Sequence, residues 1–250
     1  DFTLKIYKQL LSEIQQVGYE FITFEEYCEG KRPTKFVILR HDVDLRAGHS
    51  LATAQAEAAL GIKASYFFRV VPQSNQPDKI MAMAALGHEI GYHYEDLSLF
   101  KGDMEAAVAH FEKQLNHFRQ FYPVRTVCMH GSPASRYDNR DLWKQYNYRD
   151  FGVIGEPYFD VDFEDVFYLT DTGRCWDGDK YSVRDKVKSS FTQSYHSTAD
   201  IIRAAQAGTL PPRMMITTHP QRWTDHRLEW LLEWVSQNVK NIVKRWLSKR

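Results

Sequence analysis

The residues able to do chemistry in this chain fall at the ends of apolar runs. Phe36-Val37-Ile38-Leu39 leads straight into Arg40-His41-Asp42-Val43-Asp44. Side chains alternate along a strand, so Asp42 and Asp44 face one side while His41 and Val43 face the other. Two carboxylates on one side of a strand end repel each other unless a cation, a shared proton or water intervenes. Histidines stand at comparable points further on: His93 in Glu89–Tyr94, His130 closing Arg125–His130, and His219 after Met214–Thr218. One histidine at a strand end is ordinary, but the same design at four strand ends points to a shared site. A carboxylate with two or three imidazoles and room for water describes an open catalytic metal site rather than a closed structural one.

For these residues to meet, their strands must lie side by side and point the same way. Between them the sequence reads as helices. Leu4, Tyr7, Leu11, Ile14 and Val17 follow helical spacing up to Gly18, and Ala47, Leu51, Ala54 and Ala58 do so up to Gly61. Lys63–Val71 reads as a strand, Pro77–Leu86 as a short helix, and Ala107 to Tyr122 as a long helix capped by Asp103. A helix near 138–145, short strands near 151–154 and 166–170, and a helix over 198–207 follow. The chain closes with a helix at about 225–247 carrying Leu228, Leu231, Leu232, Val235, Ile242 and Trp246. About seven strand–helix units predict an α/β fold with a parallel sheet, closed or nearly closed into a barrel. The expected organisation is one domain over 1–250, with helix 1–18 and the C-terminal helix packed on the barrel. Active sites of such barrels lie at the C-terminal ends of the strands, where the aspartates and histidines fall.

Composition narrows the partners. The 250 residues are 43% apolar and 14% aromatic, and Lys plus Arg equals Asp plus Glu at 32 each. That balance argues against binding nucleic acid by phosphate neutralisation. The basic tail (Lys240, Lys244, Arg245, Lys249, Arg250) reads as cations complementing a helix C-terminus. Cys28, Cys128 and Cys175 have no CxxC spacing, which fits a reducing, cytoplasmic compartment. No apolar run is long enough to span a bilayer, so no membrane partner is expected. The expected partner is a carbohydrate or another small molecule. Oligomeric state is not legible.

At Arg40–Asp44, Gly87–His93 and Ile216–His219 the chain resembles the polysaccharide deacetylase superfamily, with its NodB-type, carbohydrate esterase family 4 domain. More narrowly, it looks like a prokaryotic branch carrying RHDVD in place of the usual TFDD. The similarity runs from about Phe36 to Trp223. It implies a distorted (β/α)7 barrel, Asp42 as catalytic base, Asp44 and His93 as metal ligands, and His219 as general acid. The chain departs from the pattern in four places. Leu97 stands where the usual HxxxH motif has its second histidine, so His130 is expected to supply the missing imidazole. The arginine-proline-glycine turn appears as His130-Gly131-Ser132-Pro133, without its arginine. The second aspartate is displaced by one residue, and the aspartate that steadies His219 is either Asp171 or Asp177.

The implied activity is removal of an acyl group, such as acetyl, from an N-acylated sugar. It would use a divalent ion on Asp44, His93 and His130: zinc, or cobalt, nickel or manganese. A catalytically silent sugar-binding relative and a metal-dependent hydrolase of another substrate class, such as a phosphoester, are the alternatives. His41 is the substitute ligand should His130 not serve. Backbone N–H groups near Gly131 could face an oxyanion. His88 and the aromatics Tyr66, Phe67, Tyr92, Tyr94, Trp176 and Trp223 read as packing residues.

Overall fold

The computed structural model describes residues 1–177, 184 and 187–247, the stretch 243–247 as helix backbone only. In chain order the elements are α1 (Leu4–Gln16), β1 (Glu20–Ile22), α2 (Phe24–Cys28), β2 (Phe36–Val43), α3 (Ala47–Ala58), β3 (Ser65–Phe68), α4 (Pro77–Ala85) and β4 (Glu89–Tyr94). Then come α5 (Asp96–Leu99), α6 (Met104–Phe118), β5 (Val127–Met129), α7 (Pro157–Asp160), β6 (Phe167–Thr170), α8 (Thr198–Gln206), β7 (Arg213–Thr218) and α9 (Arg227–Leu247). Several helices start on side-chain caps that satisfy otherwise unpaired first-turn N–H groups. Thr3 accepts from Ile6 N, Asp103 from Ala106 N, and Thr23 forms a reciprocal capping box with Glu26.

The seven strands among the described residues are all parallel, in the order β5-β4-β3-β2-β7-β6, with β1 on β2. β2 is the hub. Its first half pairs with β1 (Glu20↔Phe36) and its second half with β3 (Arg40↔Ser65), while β7 runs along its other edge. The sheet curls into a distorted (β/α)7 barrel, open between β5 and β6. Every residue of β2 is buried, and its alternation separates two cores. Phe36 and Ile38 pack with Phe67, Cys128 and Met215 in one, whereas Val37, Leu39 and Val43 pack with residues of α1, α3 and α6 in the other. Gly91 in β4 is required by the first. A Cβ there would lie 2.4 Å from the Phe67 ring and 3.1 Å from the Thr126 carbonyl.

The structure corrects several expectations. Residues 151–154 form no strand: a 3-10 turn at Tyr148–Phe151 precedes a single bridge, Thr126↔Gly155. The three-residue β1 and the short helices α2, α5 and α7 have too few residues for a periodic signal. Strand β3 is shorter than 63–71. Largest in consequence, the apolar stripe of α9 does not pack on the barrel. Leu228, Leu232, Val235 and Ile242 are exposed, and the buried side of the helix is polar.

Candidate active site

The strand ends converge as the alternation requires. Asp42, Asp44, His93, His130 and His219 line one cleft of about 270 Å³, together with Arg69, Gly131, Thr172, Gln221 and Arg222. β2 delivers Asp42 and the turn after it Asp44; β4 delivers His93, and the residues following β5 and β7 deliver His130 and His219.

Arg40 and Asp42 share one face of β2, and Arg40 forks onto Asp42 with Nε to Oδ1 at 2.9 Å and a terminal nitrogen to Oδ2 at 2.7 Å. Both are buried. Burial, the largest single influence, would raise the Asp42 pKa, but Arg40 together with His93 and His219 outweighs it and the carboxyl titrates below its ordinary value. The His130–Pro133 turn carries no arginine, whereas Arg40 reaches Asp42 from within β2. The alternating pattern Arg40-x-Asp42-x-Asp44 carried that signal.

His93 is oriented by its outer nitrogen. Nδ1 lies 3.0 Å from the Cys128 carbonyl, which can only accept, so Nδ1 carries the proton. Burial, the dominant influence, holds the ring's pKa at about 4, so it is neutral at pH 7 and Nε2 offers a lone pair. That atom is 3.8 Å from Asp42 Oδ2 and 3.7 Å from Asp44 Oδ1. His130 is arranged in the same way. Its Nδ1 lies 3.0 Å from Ser132 Oγ and 3.1 Å from Glu95 Oε2, and its Nε2 lies 3.5 Å from Asp44 Oδ1. Glu95 is in turn gripped by Arg69 through two bonds of 2.8 Å. Burial raises the Glu95 pKa, but His130 and Arg69 together hold it at about 2. Glu95 and Arg69 escaped the sequence reading, although Glu95 is two residues past His93 and follows the same alternation.

Asp44 sits at the centre. Burial would raise its pKa, yet His130, His219, His93 and Arg69 hold it well below the carboxylate range. Its Oδ2 accepts from Gln221 Nε2 at 3.5 Å, whereas its buried Oδ1 has no hydrogen-bond partner. One ligand atom each from Asp44, His93 and His130 lies within 4.8 Å of the others. A neutral imidazole with its Nδ1–H turned outward presents an Nε2 lone pair, so the two rings and Asp44 Oδ1 can offer three converging acceptor atoms. Such a set is reconciled by a cation, and one carboxylate with two imidazoles suits zinc or a similar first-row divalent ion. Asp42, His93 and Cys128 form a second close group, but Arg40 already engages both oxygens of Asp42.

His219 stands across the cleft, its Nε2 3.9 Å from Asp44 Oδ2. Asp171 holds it, with Oδ1 2.6 Å from Nδ1 and Oδ2 accepting from the His219 backbone N–H at 3.0 Å. Arg222 donates to Asp171 Oδ1 at 2.6 Å and Trp223 Nε1 to Oδ2 at 2.8 Å. Burial pushes the Asp171 pKa up, but Arg222 and His219 prevail and hold it at about 2. Asp171, rather than Asp177, therefore orients His219; Asp177 pairs with His196 at 3.0 Å.

Two residues fall outside this arrangement. His41 points to the opposite face of β2, where Nε2 meets Glu57 at 2.7 Å and Nδ1 meets Thr218 at 2.7 Å, so it does not reach the cleft. His88 packs as expected, accepting from Ala64 N and contacting the Ala54 carbonyl.

No family model and no curated protein matches the sequence. Among solved structures, the chain is similar to a Streptococcus mutans CE4 esterase at 14% identity and a TM-score of 0.48, over 94% of this chain and 91% of that one. It is similar to the Bc1960 peptidoglycan N-acetylglucosamine deacetylase at 16% identity and a TM-score of 0.44, over 95% and 91%. It is also similar to a mutant of BA3943, a CE4 family pseudoenzyme with restored enzymatic activity, at 12% identity and a TM-score of 0.45. That match covers 86% of this chain and 65% of the other, so the chain spans just under two thirds of that protein's length.

Proposed function

We propose that this chain is a metal-dependent hydrolase that removes an acyl group from an N-acylated sugar. The observation that carries the reading is the convergence of Asp44 Oδ1, His93 Nε2 and His130 Nε2 in one cleft, with Asp44 Oδ1 buried and without a hydrogen-bond partner. A divalent cation held there would polarise an acyl oxygen and lower the pKa of a water molecule. Asp42, ionised and fixed by Arg40, is placed to accept that water's proton beside His93. His219, whose Nδ1–H is held by Asp171, presents Nε2 to the cleft, where in its protonated form it gives a proton to the departing amine. An amide nitrogen leaves poorly unless protonated, so an acid opposite the base is the requirement that C–N hydrolysis adds.

A phosphoester is the poorer fit. Arg40, Arg69 and Arg222 are each paired with a carboxylate rather than free to clamp a phosphate. Silent sugar binding is favoured by one observation, the Arg40 fork, which lowers the basicity of Asp42.

The experiment is acetate release from a panel of N-acetylated sugars and oligosaccharides by zinc- or cobalt-loaded protein. Asp42→Asn and His219→Ala should keep the metal and slow release by roughly 10²- to 10⁴-fold each. Sugar binding with metal present and no acyl release from any substrate would support the silent binder instead.

A further inference from the structure

Glu233, Gln237 and Asn241 are four residues apart in sequence and so share one stripe of α9. That stripe faces inward, each residue no more than 8% exposed. Glu233 and Gln237, with Lys240, form a wall of the cleft that holds Asp44 and His219. The helix is tethered along its length. Glu229 pairs with His49 of α3 at 3.1 Å, Arg174 donates to the Trp230 carbonyl at 3.2 Å, and Asn241 donates to the Gly173 carbonyl at 2.8 Å. Since α3 follows β2, and Gly173 and Arg174 follow β6, α9 reaches across the rim between these two strand ends and closes the cleft on that side.

This side of the cleft is short of donors. Among the described residues, buried Glu233 forms no hydrogen bond or ion pair. Gln237 gives its Nε2 to Asn241 Oδ1 at 2.7 Å, which leaves its carbonyl oxygen to accept. Gln221, 4% exposed, also lines the cleft; its Nε2 reaches Asp44 Oδ2, and its buried Oε1 has no partner. Buried acceptors without donors are costly, and the hydroxyl groups of a sugar are the donors that would satisfy them. Size sets the number of rings. The cleft holds about 270 Å³, under the ~300–1,000 Å³ of pockets that enclose drug-sized ligands, which leaves room for one ring and its acyl group. No described aromatic side chain lines it, so no stacking platform leads to further rings.

We propose that the substrate is a single N-acylated amino sugar rather than a polymer, and that Glu233 and Gln237 of α9, with Gln221, select it by accepting from its hydroxyl groups. The inference rests on the reading of this cleft as the place where an N-acylated sugar is hydrolysed. The metal ligands act on the acyl group, whereas the α9 wall meets the rest of the ring.

The test is calorimetric binding to zinc-loaded Asp42→Asn protein, in which turnover is slowed. The probes are N-acetylglucosamine, N-acetylgalactosamine and N-acetylmannosamine, and the tetramer of the first. At least one monosaccharide should bind, and N-acetylglucosamine and its tetramer should bind within about threefold of each other because one ring is enclosed. Adding Glu233→Gln or Gln237→Ala should weaken binding by roughly tenfold, the loss of a hydrogen bond to a buried group, with zinc content and circular dichroism unchanged. Leu232→Ala, on the exposed face of α9, should bind as its parent does. In otherwise wild-type protein the two inward substitutions should raise KM and leave kcat within about twofold. Binding of none of the three monosaccharides, a tetramer bound at least about tenfold more tightly than the monomer, or unchanged affinity in both inward variants would overturn the inference. Acetate released at least about tenfold more efficiently from the tetramer would overturn it and leave the deacetylase reading intact. A monosaccharide bound without acetate release from any sugar would overturn that reading and leave the one-sugar pocket standing.

Discussion

Replacing Asp171 by Asn exchanges one carboxylate oxygen for an NH2 group and removes the charge on which His219, Arg222 and Trp223 converge. Its carboxyl titrates at about 2 rather than 3.8, because Arg222 and His219 favour the ionised form by more than burial disfavours it. At ~1.36 kcal/mol per pH unit, the difference corresponds to roughly 2 kcal/mol of stability. The sign follows from a lowered carboxyl pKa: the contribution is complete above 3.8 and is lost as pH falls through about 2. Asparagine also leaves the buried Arg222 without its counter-charge, and breaking buried pairs typically costs about 3–5 kcal/mol. Asp171→Asn is therefore expected to lose about 3 kcal/mol at pH 7 in urea unfolding of metal-free protein. The gap to wild type should narrow to about half near pH 3. A loss below ~1 kcal/mol, or one independent of pH, would refute the claim that Asp171 is an ionised hub.

Two further predictions concern charges behind the site. Arg40→Met strands Asp42 in the barrel and should cost roughly 3–5 kcal/mol, with Arg40→Lys recovering only part because an ammonium cannot reproduce the fork; wild-type stability of Arg40→Lys in urea would contradict this. Glu89 is the opposite case from Asp171: burial raises its pKa from 4.5 to about 7 against the donors Ser65 and Thr126. The unfolded chain ionises first, so this group weakens the fold as pH rises from 4.5 through about 7. Glu89→Gln should gain about 3 kcal/mol relative to wild type between pH 5 and pH 8, and a flat difference across that range would count against it.

How much of this was legible depended on whether local rules or distant partners fix a residue. Alternation in Arg40–Asp44 placed Asp42 and Asp44 together and sent His41 to the other face, where it meets Glu57. The apolar runs before His130 and His219, and the short strand carrying His93, set those residues at strand ends, and the parallel sheet brought the ends together. Arg40, Glu95 and Asp171 matter through what they touch, and their partners are 2, 35 and 48 residues away. Only the first spacing is local enough to read, and it was passed over. Helix α9 misled for a different reason. Helical periodicity gives the apolar face and does not say whether that face meets the core, so a stripe running through Leu228, Leu232 and Val235 read as packed. The stretch 151–154 read as a strand from its composition, yet one bridge at Gly155 is all that pairs.

Metal affinity decides whether Asp44, His93 and His130 hold a divalent cation. Titration of metal-free protein with zinc or cobalt should show one equivalent bound by the wild type. Asp44→Ala, His93→Ala and His130→Ala should each weaken binding by at least about tenfold, because a three-ligand site depends on every member. His41→Ala, whose ring faces Glu57, should bind as the wild type does. Unchanged affinity in His130→Ala would remove the imidazole proposed to stand in for position 97, and unchanged affinity in all three would place the metal elsewhere.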